Sequence, residues 1–368
     1  MPTPNPLRTL GSLGQSPWYD FITRELVISG ALARLIVEDG LRGMTTNPTI
    51  FEKAVQGSDL YDEEIRQLAV EGCSPAEIFE TLAVADVRTA CDLFLPVYQQ
   101  SSGSDGLVSI EVSPTLAYDA AGTVAEAERL WQRIGRPNVM IKIPGTRAGL
   151  PAITRCLAQG INVNVTLLFA VSRYRAVVEA FFQGLEQRRA QGQPVSGIAS
   201  VASFFVSRVD SKVDRVLEVL GAAGQDLRSR AAIANATMAY AAFEELFGSA
   251  RWQSLSSGGA GRQRPLWAST STKDPVLSDV YYVEALIGEH TVNTLPPATF
   301  DAYRTRGRPE LRLRQGIPEA GQVLSRIEKL GVDLDEITQV LEEEGVKAFA
   351  ASFQSLLGVI ERKAAALV

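Results

Sequence analysis

Short apolar runs alternate with longer amphipathic stretches along most of the 368-residue chain. Such alternation marks repeated strand–helix units built around a parallel sheet. Eight runs have the length and residue content of strands: 17–20, 42–45, 106–112, 138–143, 161–165, 197–203, 265–269 and 290–295. Between them the spacing turns helical. Val209, Val213, Val216, Leu217 and Leu220 stand at i, i+4, i+7, i+8 and i+11, which predicts one apolar stripe on a helix. Gly40 after Glu38-Asp39 is a helix stop, and Asp333 with Glu336 predicts a capping box at the start of a C-terminal helix. In that helix Phe349, Phe353, Leu356, Leu357 and Ile360 form a second stripe, so the tail is expected to dock on the body, with packing as its role.

Eight such units predict an α/β fold, a single (β/α)8 barrel with additional helices. Residues 1–368 read as one domain, with 315–368 as a helical C-terminal extension. An open doubly wound sheet is the alternative, and the lack of a Gly-x-Gly-x-x-Gly turn after the first strand counts against its nucleotide-binding form. The stretch 254–264, with glycines at 258, 259 and 261, reads as a surface loop rather than a linker, because a strand-like run resumes directly after it.

Composition narrows the function. At 46% hydrophobic the chain can bury a large core, and a formal net charge of −6 without a basic block offers no footprint for nucleic acid or an anionic membrane. Three cysteines, Cys73, Cys91 and Cys156, are an odd number without metal-type spacing, which points to a reducing compartment. His290 is the one histidine, so metal ligation and Ser-His-Asp chemistry are not expected. The first fifteen residues lack a basic head followed by an apolar core, and no stretch reaches the length of a membrane span. A cytoplasmic protein is the expectation.

One position breaks the apolar logic of the strands. Lys142 lies in Val139-Met140-Ile141-Lys142-Ile143-Pro144, a run that reads as a strand buried on both faces. A charge is costly there unless a partner or a reaction requires it. Burial disfavours the charged form of an amine, and a neutral amine attacks a carbonyl carbon to form a Schiff base. A structural lysine held in a salt bridge is the alternative reading.

Other polar residues recur at the same end of successive runs: Asp20, Asn47, Glu111, Asn164 with Thr166, and Ser203. On a barrel that end is one surface, so they converge on one cavity. Taken singly, Thr46, Asn164 and Ser203 read as caps of the helices that follow. Taken with a lysine and two carboxylates they read as a site. A carboxylate such as Asp20 can remove a proton from a hydroxyl next to a bond that breaks, and Glu111 can move protons during imine formation. Asparagine and serine side chains suit sugar hydroxyls. Ser207-Arg208 opens the next helix, placing a guanidinium and amide donors where a phosphate binds, against the alternative of a solvated charge.

These motifs together resemble the transaldolase family of class I aldolases, in its longer bacterial subfamily. The resemblance is carried by Gly43-Met44-Thr45-Thr46-Asn47-Pro48-Thr49-Ile50-Phe51, by the lysine region continuing through Gly145-Thr146, and by Gly160-Ile161-Asn162-Val163-Asn164-Val165-Thr166-Leu167-Leu168-Phe169. Further matches are Ser109-Ile110-Glu111-Val112, Ser203-Phe204-Phe205-Val206-Ser207-Arg208 and Trp267-Ala268-Ser269-Thr270-Ser271-Thr272-Lys273-Asp274-Pro275. It implies that Lys142 forms the Schiff base, that Asp20 is the base for carbon–carbon cleavage, and that Glu111 relays protons through a water held partly by Thr166. Asn47, Asn164 and Ser203 would hold the dihydroxyacetone fragment, beside Phe205, and Arg208 would hold the phosphate. Shorter members contribute a second arginine after a serine-containing strand. Here Ser269 is followed by Thr270-Ser271-Thr272-Lys273, which makes Lys273 the expected replacement cation.

The implied reaction is that of the pentose phosphate pathway, reversible and without cofactor: sedoheptulose 7-phosphate and glyceraldehyde 3-phosphate give erythrose 4-phosphate and fructose 6-phosphate. Two alternatives stand beside it. Fructose 6-phosphate aldolase resembles the same family, with shorter chains, glutamine where Glu111 stands and tyrosine where Phe205 stands. A non-catalytic sugar-phosphate-binding barrel is the other, and the presence of the lysine and both carboxylates speaks against it.

Overall fold

The alternating runs close into a barrel. The computed structural model describes residues 5–368. Its strands are β1 (Gln15–Asp20), β2 (Gly43–Thr45), β3 (Leu107–Glu111), β4 (Val139–Pro144), β5 (Val163–Leu168), β6 (Ser200–Phe205), β7 (Gln263–Ala268) and β8 (Thr291–Leu295). Each pairs in parallel with its neighbours in chain order, and β1 pairs with β8 to close the ring. This is the expected (β/α)8 barrel, and no sheet edge remains for the open alternative. β4 is buried along its whole length, as both-faced packing requires.

The strand limits move by a few residues for local reasons. Gly197, expected at the start of a strand, has φ of 80° and belongs to the turn before β6. Ser269, expected inside the seventh strand, has φ of 56° and ends it. His290 has φ of 60° and stands just before β8, at the amino-terminal rim of the barrel. The proposed loop 254–264 is shorter than expected: the helix Ala250–Ser256 occupies its start and β7 begins at Gln263. On the helix Ser207–Val219 the apolar stripe is narrower than its spacing predicts. Val209, Val213 and Leu217 are buried, whereas Val216 is 38% and Leu220 39% exposed. Gly40, with φ of 70°, follows the end of the helix Ala31–Glu38 as expected.

The tail forms two helices, Leu313–Lys329 and Leu334–Leu367. Asp333 caps the second by accepting from the Glu336 amide at 2.9 Å, but Glu336 returns no bond, so only one arm of the capping box forms. This C-terminal helix has 34 residues, about 50 Å at 1.5 Å per residue, long enough to cross a barrel. It packs on the helices Pro48–Gln56, Asp62–Val70, Pro75–Gln100 and Ser207–Val219 and on β5. Those elements flank the carboxyl-terminal mouth from different sides, so the helix lies across it. No helix among the described residues is long and apolar enough to cross a membrane.

Close packing on the barrel side explains the glycine that opens the motif Gly43–Phe51. Gly43 is level with Trp18 on the adjacent strand, and a Cβ at position 43 would lie 2.4 Å from the Trp18 ring. Trp18 is fully buried and cannot swing into solvent. Gly43→Ala is therefore expected to destabilise the fold by roughly 1–3 kcal/mol through overpacking, read as a lower urea midpoint. An unchanged midpoint would mean that the indole has room to move.

Candidate active site

Strand register assembles the centre of the site. Glu111 on β3 is level with Lys142 on β4, and Lys142 is level with Asn164 on β5. Level residues of neighbouring parallel strands face the same side, so three polar side chains enter the barrel mouth in one layer. Lys142 is 5% exposed; its Nζ donates to the Thr46 carbonyl at 3.2 Å and lies 3.9 Å from Glu111 Oε2. Neither oxygen of Glu111 has a hydrogen-bond partner among the described residues. Burial pushes its pKa up to about 7, with Asp20 adding to the rise and Lys142 opposing it.

Asp20, at the end of β1, completes the charged group. Its pKa is raised by burial, against the lowering effects of Lys142 and of the hydrogen bond from Thr45. Thr45 Oγ1 donates to Asp20 Oδ1 at 2.7 Å and lies 2.6 Å from Thr294 Oγ1. Since a hydroxyl carries one proton, Thr294 is then the donor to Thr45, and the carboxylate is oriented by a two-hydroxyl chain.

The amide of Asn164 is held at both ends. Ser203 Oγ donates to its Oδ1 at 2.7 Å, and its Nδ2 donates to Ser109 Oγ at 2.9 Å. Thr46 Oγ1 donates to the Ser109 carbonyl at 2.9 Å. The alternative reading of Thr46, Asn164 and Ser203, taken singly, as helix caps fails, because each spends its side chain across strands. Asn47 is the cap instead: its Oδ1 accepts from the Ile50 amide at 3.0 Å at the start of the helix Pro48–Gln56.

Thr166 is fully buried with its Oγ1 unpartnered, the same condition as the Glu111 carboxyl. The β5–β6 register shifts between Val165 and Leu168, and Leu167 has φ of 60°. A left-handed leucine costs of the order of 1–3 kcal/mol, so the backbone is strained beside Thr166.

Toward the rim, Arg208 is half-buried and makes no ion pair among the described residues, its guanidinium 5.5 Å from the centre of the Phe205 ring. Burial lowers its pKa from the usual value, with Glu344 of the C-terminal helix opposing. Phe205 packs on Phe169 with ring centres 5.2 Å apart. The helix behind Arg208 offers less than its sequence promises, because the Ser207 amide is spent on the Ser269 carbonyl at 3.1 Å. Ser269 Oγ meets Ser207 Oγ at 3.0 Å. Lys273 is exposed, and its Nζ bonds only Ser271 Oγ, at 2.9 Å, among the described residues. The structure therefore gathers Asp20, Glu111, Lys142, Asn164, Thr166 and Ser203, places Arg208 with Phe205 at one edge, and leaves Lys273 outside that network.

The sequence offered no functional reading of Phe349. Its ring, carried by the C-terminal helix, lies 5.8 Å from Lys142 Nζ. The apolar stripe announced its burial, but the partner was set by how the helix crosses the mouth. A side cavity of 210 Å³ adjoins Glu111, Thr46 and Asn47 and is walled by Phe51, Phe79 and Phe353.

A barrel that buries an amine among two carboxyls with raised pKa values is built for carbonyl chemistry by a lysine nucleophile. Residues 17–360 match the Transaldolase/Fructose-6-phosphate aldolase family, and the chain belongs to it. It is 49% identical to a protein named Transaldolase from Parafrankia sp. (strain EAN1pec), over 97% of this chain and 98% of the relative. Similar full-length relatives of the same name come from Thermobifida fusca, at 48% identity over 98% of this chain and 99% of the relative, and Trichodesmium erythraeum, at 44% over 98% and 97%.

The elevated Glu111 pKa has a measurable sign. Its ordinary value of 4.5 rises to about 7 on folding, so the folded chain holds this proton more tightly than the unfolded one. The corresponding stability is present below about pH 4.5 and is lost as pH rises through about 7. Glu111→Gln cannot titrate. Relative to the variant, the parent chain is expected to lose roughly 1–3 kcal/mol between about pH 4 and about pH 8 in chemical denaturation. A difference that stays flat across that range would show that Glu111 titrates normally.

Proposed function

We propose that this enzyme is a transaldolase that moves a dihydroxyacetone unit between sugar phosphates through a Schiff base on Lys142. The observation that carries the reading is the Lys142 amine, buried 3.9 Å from a carboxyl that has no other partner. Lys142 Nζ adds to the ketose carbonyl carbon, and loss of water leaves an iminium that draws electrons from the neighbouring carbon–carbon bond. Glu111, poised near neutrality, moves the protons of that dehydration, and Thr166 helps to hold the water. Asp20 takes the proton of the hydroxyl beyond the scissile bond, the aldose phosphate departs, and the three-carbon fragment stays on Lys142 as the enamine. An acceptor aldehyde then reverses the steps.

Asn164, fixed by two hydroxyls, together with Ser203 and the uncommitted amide nitrogen of Asn47, is suited to the fragment's hydroxyls. Arg208 is a half-buried cation with no ion-pair partner among the described residues, which is the condition a phosphate group relieves. Ser269 borders that position through Ser207, and Lys273 supplies a more distant positive charge. Sedoheptulose 7-phosphate and fructose 6-phosphate are the donors this arrangement fits, with glyceraldehyde 3-phosphate and erythrose 4-phosphate as acceptors. Glu111 and Phe205, in place of glutamine and tyrosine, favour transfer over simple aldol cleavage. We place the activity in the cytoplasm, consistent with three unpaired cysteines, of which Cys91 and Cys156 are buried with thiol pKa values pushed up. Residues 1–368 act as one domain in this reading, because the extension supplies Phe349 to the barrel's site.

Intact mass after incubation with fructose 6-phosphate and borohydride tests the covalent step. A dihydroxyacetone adduct is expected on the parent chain, and Lys142→Ala is expected to fold, lose the adduct and lose turnover by roughly 1000-fold or more. Asp20→Ala should instead accumulate the adduct of the intact donor ketose. An adduct on another lysine would remove the assignment.

Arg208→Ala is expected to cost roughly 2–4 kcal/mol, about 30- to 1000-fold in kcat/KM, toward phosphorylated donors and almost nothing toward fructose. Equal losses on both donors would place the phosphate elsewhere.

A further inference from the structure

The C-terminal helix is seated on the site by specific contacts. Glu342 forms an ion pair with Arg173 at 3.1 Å, and both side chains are nearly buried. Glu344 pairs with Lys212, and Ser352 accepts from Thr49 Oγ1 at 2.9 Å, two residues beyond Asn47. At Gly345 the helix comes so near the barrel that a Cβ would lie 2.9 Å from Leu167 Cδ2, in the strained stretch of β5 beside Thr166. One helical turn further on, Phe349 stands 8% exposed over Lys142. The side chain above the nucleophile is thus an aromatic ring with no hydrogen-bonding atom, delivered by the last element of the chain.

We propose that Phe349 is a specificity-determining residue that divides the lysine-bound three-carbon intermediate between transfer and release. This rests on the Schiff-base transfer proposed above. Release requires two events: the enamine carbon takes a proton, and water then adds its oxygen to the resulting iminium carbon. The carbon–nitrogen bond breaks, the nitrogen takes a proton, and free dihydroxyacetone leaves with Lys142 regenerated. Water addition to an iminium also ends each transfer, served by Glu111 and Thr166, so the step peculiar to release is protonation of the enamine carbon. An apolar roof brings neither a proton-bearing group nor a held water to that carbon, and the intermediate survives until an aldehyde arrives. The ring needs only to be apolar and large. An aliphatic side chain of similar reach should therefore substitute for it, and a short or polar one should not.

The test is the ratio of dihydroxyacetone released from fructose 6-phosphate without acceptor to the rate of transfer with erythrose 4-phosphate. Phe349→Ala is expected to raise that ratio at least about tenfold, and Phe349→Leu to leave it within about threefold of the parent chain. Phe349→Gln keeps most of the volume but brings an amide that can hold water, and should behave as the alanine variant does; it serves if the alanine variant does not fold. Borohydride trapping on the parent chain is run first, because failure to trap a three-carbon adduct would overturn the Schiff-base reading itself. With trapping intact, an unchanged ratio in a folded Ala or Gln variant would overturn the role of Phe349. A leucine variant that releases as much as those would also overturn it, since loss of packing alone would then explain the effect.

Discussion

The proposed chemistry depends on placing one lysine, Lys142, inside a buried barrel mouth. A buried amine is tolerated only where oxygen atoms meet it, and here the Thr46 carbonyl does so while Glu111 stands at 3.9 Å. Removing either neighbour would leave an uncompensated polar group in low dielectric. The cost is met by the rest of the fold, whose strands are packed on both faces and closed on themselves without an edge. The same burial that makes Lys142 expensive also holds Glu111 near neutrality, where it can both accept and donate a proton. The expense and the reactivity have one origin.

The supporting residues are arranged to hold positions. Asn164 cannot rotate without breaking bonds to Ser203 and Ser109, and Asp20 is oriented through Thr45 from Thr294 on the far side of the closure. Rigid donors and acceptors lose little entropy when substrate arrives, so more of the binding energy is available to the reaction. Flexibility is not what the site asks of these strands. The unusual backbone is confined to Leu167, where the register shift lets β5 meet the approaching C-terminal helix at Gly345.

That helix changes how the extension is understood. As a stripe of apolar positions it promised packing, and it does pack: Leu356 and Ile360 are fully buried. Crossing the mouth, it also brings Glu342 to Arg173, Glu344 to Lys212 and Phe349 to Lys142. Without that helix, Lys142 would lose the aromatic ring that stands over its amine. A tail that docks by ion pairs and one close glycine contact becomes part of the wall around Lys142.

Much of this was legible along the chain, because barrel strands and their catalytic ends obey local rules. A period of alternating runs marks strands, a lysine inside an apolar run contradicts its surroundings, and polar residues at strand ends share one surface once the barrel closes. Other features were decided only by tertiary structure. The reading of Thr46, Asn164 and Ser203 as caps failed because cross-strand partners, distant in sequence, outcompeted the local amides, whereas Asn47 took the cap. Val216 and Leu220 carried the right spacing but not the burial, since the width of a buried stripe depends on how closely the neighbouring elements approach. Sequence by itself determined which residues could do chemistry, because residue type and its conflict with local pattern travel with the chain. The tertiary structure alone decided that Phe349 faces Lys142 and that Lys273 stays outside the Arg208 network, because a helix's crossing direction and a loop's path are set by packing against surfaces far away in sequence.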